Sequence, residues 1–236
     1  MLQDYFALQL AVAAHYAAAA GVPLDLALVR CTNLRRRFHL WGPAGEQLWN
    51  DFLGQARYAA NDHAQVLAIC SARYAARPGI EVQRTFGCFT YDAPDVAGVL
   101  RIHFMPPDGL CTRPLALENI CDRRHELRTL FSHVRRAERH AASVRGVSWL
   151  YNLEAYRRLF PAAYVASIER PSFAVHLNGS STWGQVLSWR QEVKPAVREA
   201  LFARLAAMNI DAPWEVFPYQ ALVATCDIEA FYEWFQ

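Results

Sequence analysis

Lysine is nearly absent from this chain of 236 residues, in which Lys194 is the only example. Almost all of its 24 basic residues are therefore arginines, whose planar guanidinium groups suit bidentate binding of carboxylate or phosphate. The net charge is only +2, which argues against extensive non-specific binding to nucleic acid. Scarce lysine together with abundant alanine is typical of a GC-rich bacterial genome.

The common motifs of catalysis and cofactor binding are also missing. The sequence contains no GxGxxG, P-loop, GxSxG or HExxH pattern, and each absence argues against one common class of enzyme. The six cysteines are scattered and form no CxxC pair, so a zinc ribbon or a thioredoxin-type motif is not supported. We expect reduced thiols in a cytoplasmic protein. The sequence indicates neither a particular cofactor nor an oligomeric state.

No uninterrupted apolar stretch reaches the length that is needed to span a bilayer. Phe6–Val22 is rich in alanine and apolar residues and superficially resembles a signal peptide. However, Asp4 lies where a signal peptide carries basic residues, and Gln9 and His15 interrupt the apolar run. We therefore expect neither a signal peptide nor a membrane partner.

The remaining composition is that of a globular protein, with 53% hydrophobic and 19% charged residues. Helical patterns come first and strands interleaved with helices follow, which predicts an α+β fold, with α/β as the alternative. Residues 1–78 are predicted to form a helical subdomain of four helices. Residues 79–236 are predicted to form a mixed domain with a sheet, in one compact unit with the first.

Two strands joined by a turn are predicted at Glu81–Tyr91 and Val96–Phe104. Period-two alternation places the apolar positions of each strand on one face. If the two apolar faces coincide, the opposite face carries four residues of chemical interest: Arg84, Cys88, Arg101 and His103.

These residues suggest an anion site. Arginines at positions 84 and 101 would bind a carboxylate or phosphate, and His103 could exchange a proton near neutral pH. Cys88 is a candidate nucleophile if the neighbouring cations lower the pKa of its thiol. The alternative is a half-buried sheet whose polar face is simply solvated.

A strong helix is predicted at Cys121–His140. Its buried stripe is predicted to consist of Leu127, Leu130, Phe131 and Val134. Glu126 and His133 lie along one line beside that stripe. With His103 they form an alternative metal-binding set.

The densest local pattern is Val144–Ser167. Its first part, Val144–Tyr151, mixes β-branched and aromatic residues and predicts a strand, in which Gly146 implies close packing by a neighbouring element. Asn152 is the predicted N-cap of a short helix that ends before Pro161.

Three residues at the end of this predicted strand are candidates for substrate binding: Trp149, Tyr151 and Asn152. They could line a pocket at the carboxyl end of the strand, where α/β sheets bind ligands. The alternative is a pair of core aromatics followed by a helix cap.

The four residues Asn152-Leu153-Glu154-Ala155 after a strand resemble the late strand-to-helix turn of the acyl-coenzyme A N-acyltransferases. The glycine-containing pyrophosphate loop of that family is missing before the helix at Cys121–His140, so the family is not assigned.

Three functions remain open. The first is a small-molecule enzyme, transferase-like, with an arginine-lined site for an anionic carboxylate, phosphate or coenzyme-type substrate. The second is a non-catalytic protein-interaction module that uses exposed arginines and aromatic residues. The third is a metal-dependent enzyme that uses histidine and glutamate ligands.

Overall fold

The computed structural model describes residues 2–79, 85–106, 112–178 and 181–236, and it has the predicted α+β fold. The helices are α1 (Gln3–Ala20), α2 (Leu24–Cys31), α3 (Leu34–Arg37), α4 (Gly42–Tyr58), α5 (His63–Ala75), α6 (Ile120–Ala137), α7 (Glu154–Arg157), α8 (Ala162–Ala166), α9 (Pro195–Leu205) and α10 (Glu229–Trp234). The strands are β1 (Phe89–Asp92), β2 (Val99–Phe104), β3 (Ser143–Ser148) and β4 (Leu222–Asp227).

The chain divides into two compact units, each made of two segments. A helical unit comprises Met1–Ile80 and Phe173–Gln220, and a sheet unit comprises Glu81–Ser172 and Ala221–Gln236. The predicted domain boundary near residue 78 stays a prediction. Sequence order alone gives no reason to expect that a segment following three of the four strands belongs with the N-terminal helices.

The helical unit has its core around α1. Most apolar side chains of α1 are buried, and the helix ends at Gly21, which has a φ of 63° and donates its N–H to the Ala17 carbonyl. The C-terminal segment joins this core through Trp183. Its indole Nε1–H donates to the Cys31 carbonyl over 2.8 Å, and its ring is completely buried. The hydrogen bond satisfies the one polar group of a large buried ring.

The sheet unit is built on four strands in the order β1-β2-β3-β4. The β1–β2 and β3–β4 pairs are antiparallel, and the central β2–β3 pair is parallel. The parallel pair requires a crossover connection, which α6 supplies. The predicted helix at Cys121–His140 is thereby confirmed as α6.

The helices of the sheet unit cover one face of the sheet. The four predicted α6 stripe residues are buried in one cluster with Leu100, Ile102 and Val144 of the strands. Phe231 and Phe235 at the C-terminal end of the chain pack against Phe131 in the same cluster. We call this face of the sheet the inner face, and the opposite one the outer face.

The central stretch departs from its prediction at two points. β3 ends at Ser148, and Trp149–Asn152 forms a 3₁₀ turn instead of continuing the strand. The turn begins there because the Ser148 hydroxyl accepts a hydrogen bond from the Leu150 N–H. The predicted strand to Tyr151 was therefore too long. Asn152 is not the helix cap either, because the N-cap position of α7 is Leu153.

The first predicted strand, Glu81–Tyr91, also differs from the structure. Its residue Arg84 lies outside the described residues. Within the described part, β1 begins only at Phe89, because Gly87 has a φ of 60° and a Phe86–Phe89 bridge closes a turn before the strand. L-residues rarely adopt this backbone conformation, whereas glycine adopts it readily.

No single helix of the described segments is both long and apolar enough to cross a bilayer. The consecutive helices α1 and α2 pass that test only when they are taken together, and they are bent by 118° at their junction.

Candidate functional site

The outer face of the sheet carries a row of polar residues, one from each strand. The strand registers align Asp92 with Arg101, Arg101 with Arg145, and Arg145 with Thr225. Residues that are aligned between neighbouring strands point to the same face of a sheet. We call these four residues the cross-strand row. The sequence placed Arg101 on the polar face, and the observed register agrees with that placement.

His103 lies on the same face, two residues beyond Arg101 on β2. Its Nε2 is 2.9 Å from Asp92 Oδ2, and its side chain is 37% exposed. When the ring is neutral, this contact assigns the proton to Nε2, which donates to the carboxylate, and leaves Nδ1 as an acceptor. The arrangement holds an imidazole in one orientation beside the cross-strand row.

Arg101 is exposed, and it makes no hydrogen bond or ion pair with any residue that the structure describes. Asp92 is its direct partner in the register but contacts His103 instead. Within the described segments, the Arg101 guanidinium therefore has no counter-ion in contact with it, although a carboxylate lies on the neighbouring strand.

The parallel ladder between β2 and β3 is short. It covers only Val99–Arg101 against Ser143–Arg145, whereas β2 continues to Phe104 and β3 continues to Ser148. On their other sides both strands stay paired to their ends, with β1 and with β4. The carboxyl ends of two neighbouring parallel strands thus face each other without ladder pairing. We call this space the β2–β3 gap.

Backbone alternation decides which groups face the gap. The Met105 N–H donates to the Cys88 carbonyl, so the backbone groups of odd-numbered residues in β2 point towards β1. The backbone groups of even-numbered residues, such as Phe104, therefore point towards β3. Ile228 N–H donates to the Ala142 carbonyl, so the even-numbered residues of β3 bond towards β4 and Val147 faces β2. The N–H and C=O groups of Val147 and Phe104 therefore point into the β2–β3 gap.

The N-terminus of α6 lies at the same end of the sheet. Glu126, in its second turn, accepts a hydrogen bond from the N–H of Cys88, which lies beside the end of β2. Beyond its C-terminus, Glu138 accepts one from the Tyr91 hydroxyl. The helix therefore runs antiparallel to β2. Its N-cap residue, Asn119, makes no side-chain capping bond, so the first-turn N–H groups direct their partial positive charge towards this end.

Arg158 adds a cation to this end of the sheet unit. It follows α7, its guanidinium donates to the Leu115 carbonyl over 2.8 Å, and its own carbonyl accepts from Arg124. Arg158 thus holds the segment before α6, and Arg124 holds α6 itself, close to the segment after β3. Neither was selected from the sequence, because their proximity depends on the crossover.

Cys88 occupies a different environment from the one predicted. It is only 2% exposed and belongs to the hydrophobic core of the sheet unit. The Glu126 carboxylate accepts from its N–H over 3.1 Å and from Arg123 over 2.6 Å. These contacts hold the turn before β1 against α6. Its role as a nucleophile stays a prediction.

The three candidate binding residues after β3 all lie in the 3₁₀ turn Trp149–Asn152. Trp149 is half-buried, and Asn152 donates from Nδ2 to the Trp149 carbonyl over 2.7 Å, which closes the 3₁₀ turn. Tyr151 is buried, and its hydroxyl lies 2.7 Å from the Tyr164 hydroxyl. Burial raises the pKa of the Tyr151 hydroxyl well above its ordinary value, so the group stays protonated at neutral pH.

The alternative metal set is not brought together. Among the described residues, no group of three or more histidine, cysteine, aspartate or glutamate side chains is arranged to hold a metal ion. His103 contacts Asp92, Glu126 contacts Arg123, and the His133 ring packs 5.4 Å from the Phe86 ring. The third function loses its sequence-derived ligand set.

Asp92 and Arg145 are the site residues that sequence reasoning missed. Asp92 falls between the two predicted strands, in their connecting turn, whereas in the structure it is the last residue of β1. Arg145 alternates with the buried Val144 and Gly146, and that pattern predicts an outward-facing arginine. Placing it beside Arg101 requires the parallel register, which no local pattern contains.

Comparisons with protein-family models, with curated proteins and with solved structures found no match for this chain. The geometry offers three chemical capacities: an exposed guanidinium, an oriented imidazole, and backbone donors and acceptors that face a gap between parallel strands.

Proposed function

We propose that this protein is a small-molecule enzyme of the transferase type, which binds an anionic, coenzyme-type substrate in the β2–β3 gap. The observation that carries the proposal is the end of the parallel ladder after Arg101 and Arg145, while both strands continue. In sheets with parallel strands, ligands bind outside the carboxyl ends of the strands, where neighbouring strands leave a crevice.

The groups that face the gap suit an extended ligand with amide bonds. Val147 and Phe104 direct backbone N–H and C=O groups into the gap from opposite sides, and such groups bind an extended chain in the way that a sheet edge binds a strand. The N-terminus of α6 supplies partial positive charge for an anionic end of the same ligand.

His103 supplies the proton chemistry. The Asp92 carboxylate holds its Nε2–H, so Nδ1 of the neutral ring is the acceptor for a proton from an attacking nucleophile. The half-exposed side chain leaves room for a second substrate on the outer face. In the proposed reaction, the coenzyme-type substrate binds between β2 and β3, and the second substrate binds on the outer face beside His103.

The binding test is a thermal-shift screen of the whole chain against coenzyme A, its acyl thioesters, nucleotides and inorganic phosphate. A ligand that binds only the native state raises its melting temperature. We expect a rise with coenzyme species that exceeds the rise with phosphate at the same concentration. No response to any coenzyme or nucleotide would contradict the proposal.

Val147→Pro tests the gap at a single backbone group. Proline removes the N–H that faces the gap, and the β4 side of β3 keeps its hydrogen bonds because it uses the neighbouring residues. Loss of one hydrogen bond, about 1 kcal/mol, predicts a coenzyme affinity that is roughly fivefold weaker. Val147→Ala, which keeps the N–H, is the control. Equal affinities in the two variants would exclude the gap as the binding site.

A non-catalytic interaction module is the second candidate, favoured by exposed tryptophans with arginines stacked on them. Trp41 and Trp189 are 47% and 45% exposed, with the guanidinium carbons of Arg36 and Arg190 at 5.4 Å and 4.7 Å from their ring centroids. Tryptophan and arginine are enriched among residues that dominate binding at interfaces. If the ligand screen gives no response, replacing both tryptophans with alanine should abolish binding to a partner identified by co-purification.

A further inference from the structure

The cross-strand row contains two arginines side by side. Arg101 and Arg145 are direct partners in the parallel register, and neighbouring strands lie about 4.8 Å apart. Both side chains leave the sheet on the outer face, so two positive charges start from neighbouring points. Such charges repel each other, and an anion between them removes the repulsion.

Two nearby carboxylates already have partners of their own among the described residues. Asp92 contacts His103, and Asp227 accepts a hydrogen bond from the Glu229 N–H over 2.8 Å. Arg145 has an interaction of its own, whereas Arg101 makes no hydrogen bond or ion pair with the described part of the chain. Arg101 is thus the arginine that can donate to a ligand, and Arg145 adds positive charge beside it.

His103 determines what else such a ligand can carry. It lies two residues from Arg101 on the same strand and face, a Cα separation of about 7 Å. One small molecule can therefore present a carboxylate to the arginines and a nucleophilic nitrogen or oxygen to Nδ1 of His103. Asp92 limits where a second negative charge can lie, because its carboxylate borders the site.

We propose that Arg101 and Arg145 select the acceptor substrate, and that this acceptor is a small carboxylic acid with an amine or hydroxyl group a few bonds from the carboxylate. The inference rests on the proposed function, since it identifies the second substrate of the same reaction. It assigns Arg101 to direct carboxylate binding and Arg145 to specificity through charge.

The test is binding of defined acids to the coenzyme-free protein, which is measured by ligand-observed NMR. The probes are β-alanine, 4-aminobutyrate and 4-hydroxybutyrate, each compared with its amide, which lacks the negative charge. We expect at least one acid to bind more tightly than its amide. If no acid binds, or if the amides bind as tightly as the acids, the inference is wrong.

Three variants locate the carboxylate. Arg101→Gln should weaken binding of the acid by roughly 10- to 100-fold, the range for a charge-assisted hydrogen bond. Arg136→Gln removes the same charge from the exposed surface of α6 and is the control, with unchanged affinity expected. Asp92→Asn removes a negative charge beside the site and should tighten binding. This opposite sign provides a second test if Arg101→Gln proves unstable.

The experiments distinguish failure of the acceptor inference from failure of the transferase proposal. Coenzyme binding with no preference for acids over amides would overturn the acceptor inference and leave the gap proposal intact. Binding of acids that depends on Arg101, with no binding of any coenzyme, would overturn the transferase proposal and with it the assignment of the acid as an acceptor.

Discussion

Gly146 is the position at which the packing of the sheet unit can be tested most directly. A Cβ atom built there would lie 2.5 Å from the Tyr164 hydroxyl oxygen and closer still to that of Tyr151. Both tyrosines are buried, and their hydroxyls are hydrogen-bonded to each other, so neither ring can move aside easily. We therefore expect Gly146→Ala to destabilise the protein.

The magnitude follows from three contributions. Overpacking in a core costs about 1–3 kcal/mol, and disruption of the tyrosine hydrogen bond adds about 1 kcal/mol. Alanine reduces the conformational freedom of the unfolded chain, which offsets about 0.4–1 kcal/mol. The expected net loss is about 2 kcal/mol, or roughly 4–8 °C in melting temperature for a chain of this size.

The assay is urea unfolding of Gly146→Ala, Tyr151→Phe and the double variant. Removing the Tyr151 hydroxyl makes room for the new methyl group, so the two substitutions should couple, and the double variant should be more stable than the sum of the single effects predicts. Val147→Ala, at the neighbouring half-exposed position, is the packing control. A Gly146→Ala protein within about 0.5 kcal/mol of wild type would refute the close approach of the tyrosines.

Two further predictions concern the helical unit. Asp62 accepts a hydrogen bond from the Gln65 N–H at the start of α5, so Asp62→Ala should cost about 1 kcal/mol in urea unfolding, and Asp62→Asn, which retains a capping oxygen, should cost less. The Arg57 guanidinium, hydrogen-bonded to Asp25, lowers the pKa of the Asp25 carboxyl. Because the folded pKa is the lower one, this contact stabilises the protein above the ordinary carboxyl pKa of about 3.9, and the contribution is lost as the pH falls through the folded pKa. The unfolding free energy of Asp25→Asn should therefore vary less with pH between about pH 5 and pH 2 than that of wild type, and parallel curves would contradict the assigned contact.

Local sequence patterns accounted for the parts of the fold that depend on nearest neighbours. The 3.6-residue spacing of apolar side chains predicted α6 and its buried stripe, because a helix buries whichever stripe is apolar. Alternation along β2 predicted that Arg101 and His103 share a face, because strand geometry has a period of two. The small residue predicted to be closely packed, Gly146, is approached by two tyrosines.

Local sequence patterns gave the wrong secondary structure where a side-chain hydrogen bond or a neighbouring strand determines where a strand ends. Trp149 and Tyr151 have strong strand propensity, but the Ser148 hydroxyl turns the chain at the point where β3 reaches the end of its pairing with β4. The intrinsic strand propensity of an aromatic residue stabilises a strand less than pairing with a neighbouring strand does, so the strand ends where its ladder ends.

The sequence by itself determined the helix faces, the strand faces and the excess of arginine over other cations. Only the tertiary structure decided that Arg145 lies beside Arg101, that Asp92 contacts His103 instead of its register partner, and that the ladder between β2 and β3 stops early. The first and the last of these features depend on a parallel register between residues that are 44 positions apart in the chain, such as Arg101 and Arg145. Residue spacing within one element carries no information about that register, because it is set by how α6 packs across the sheet.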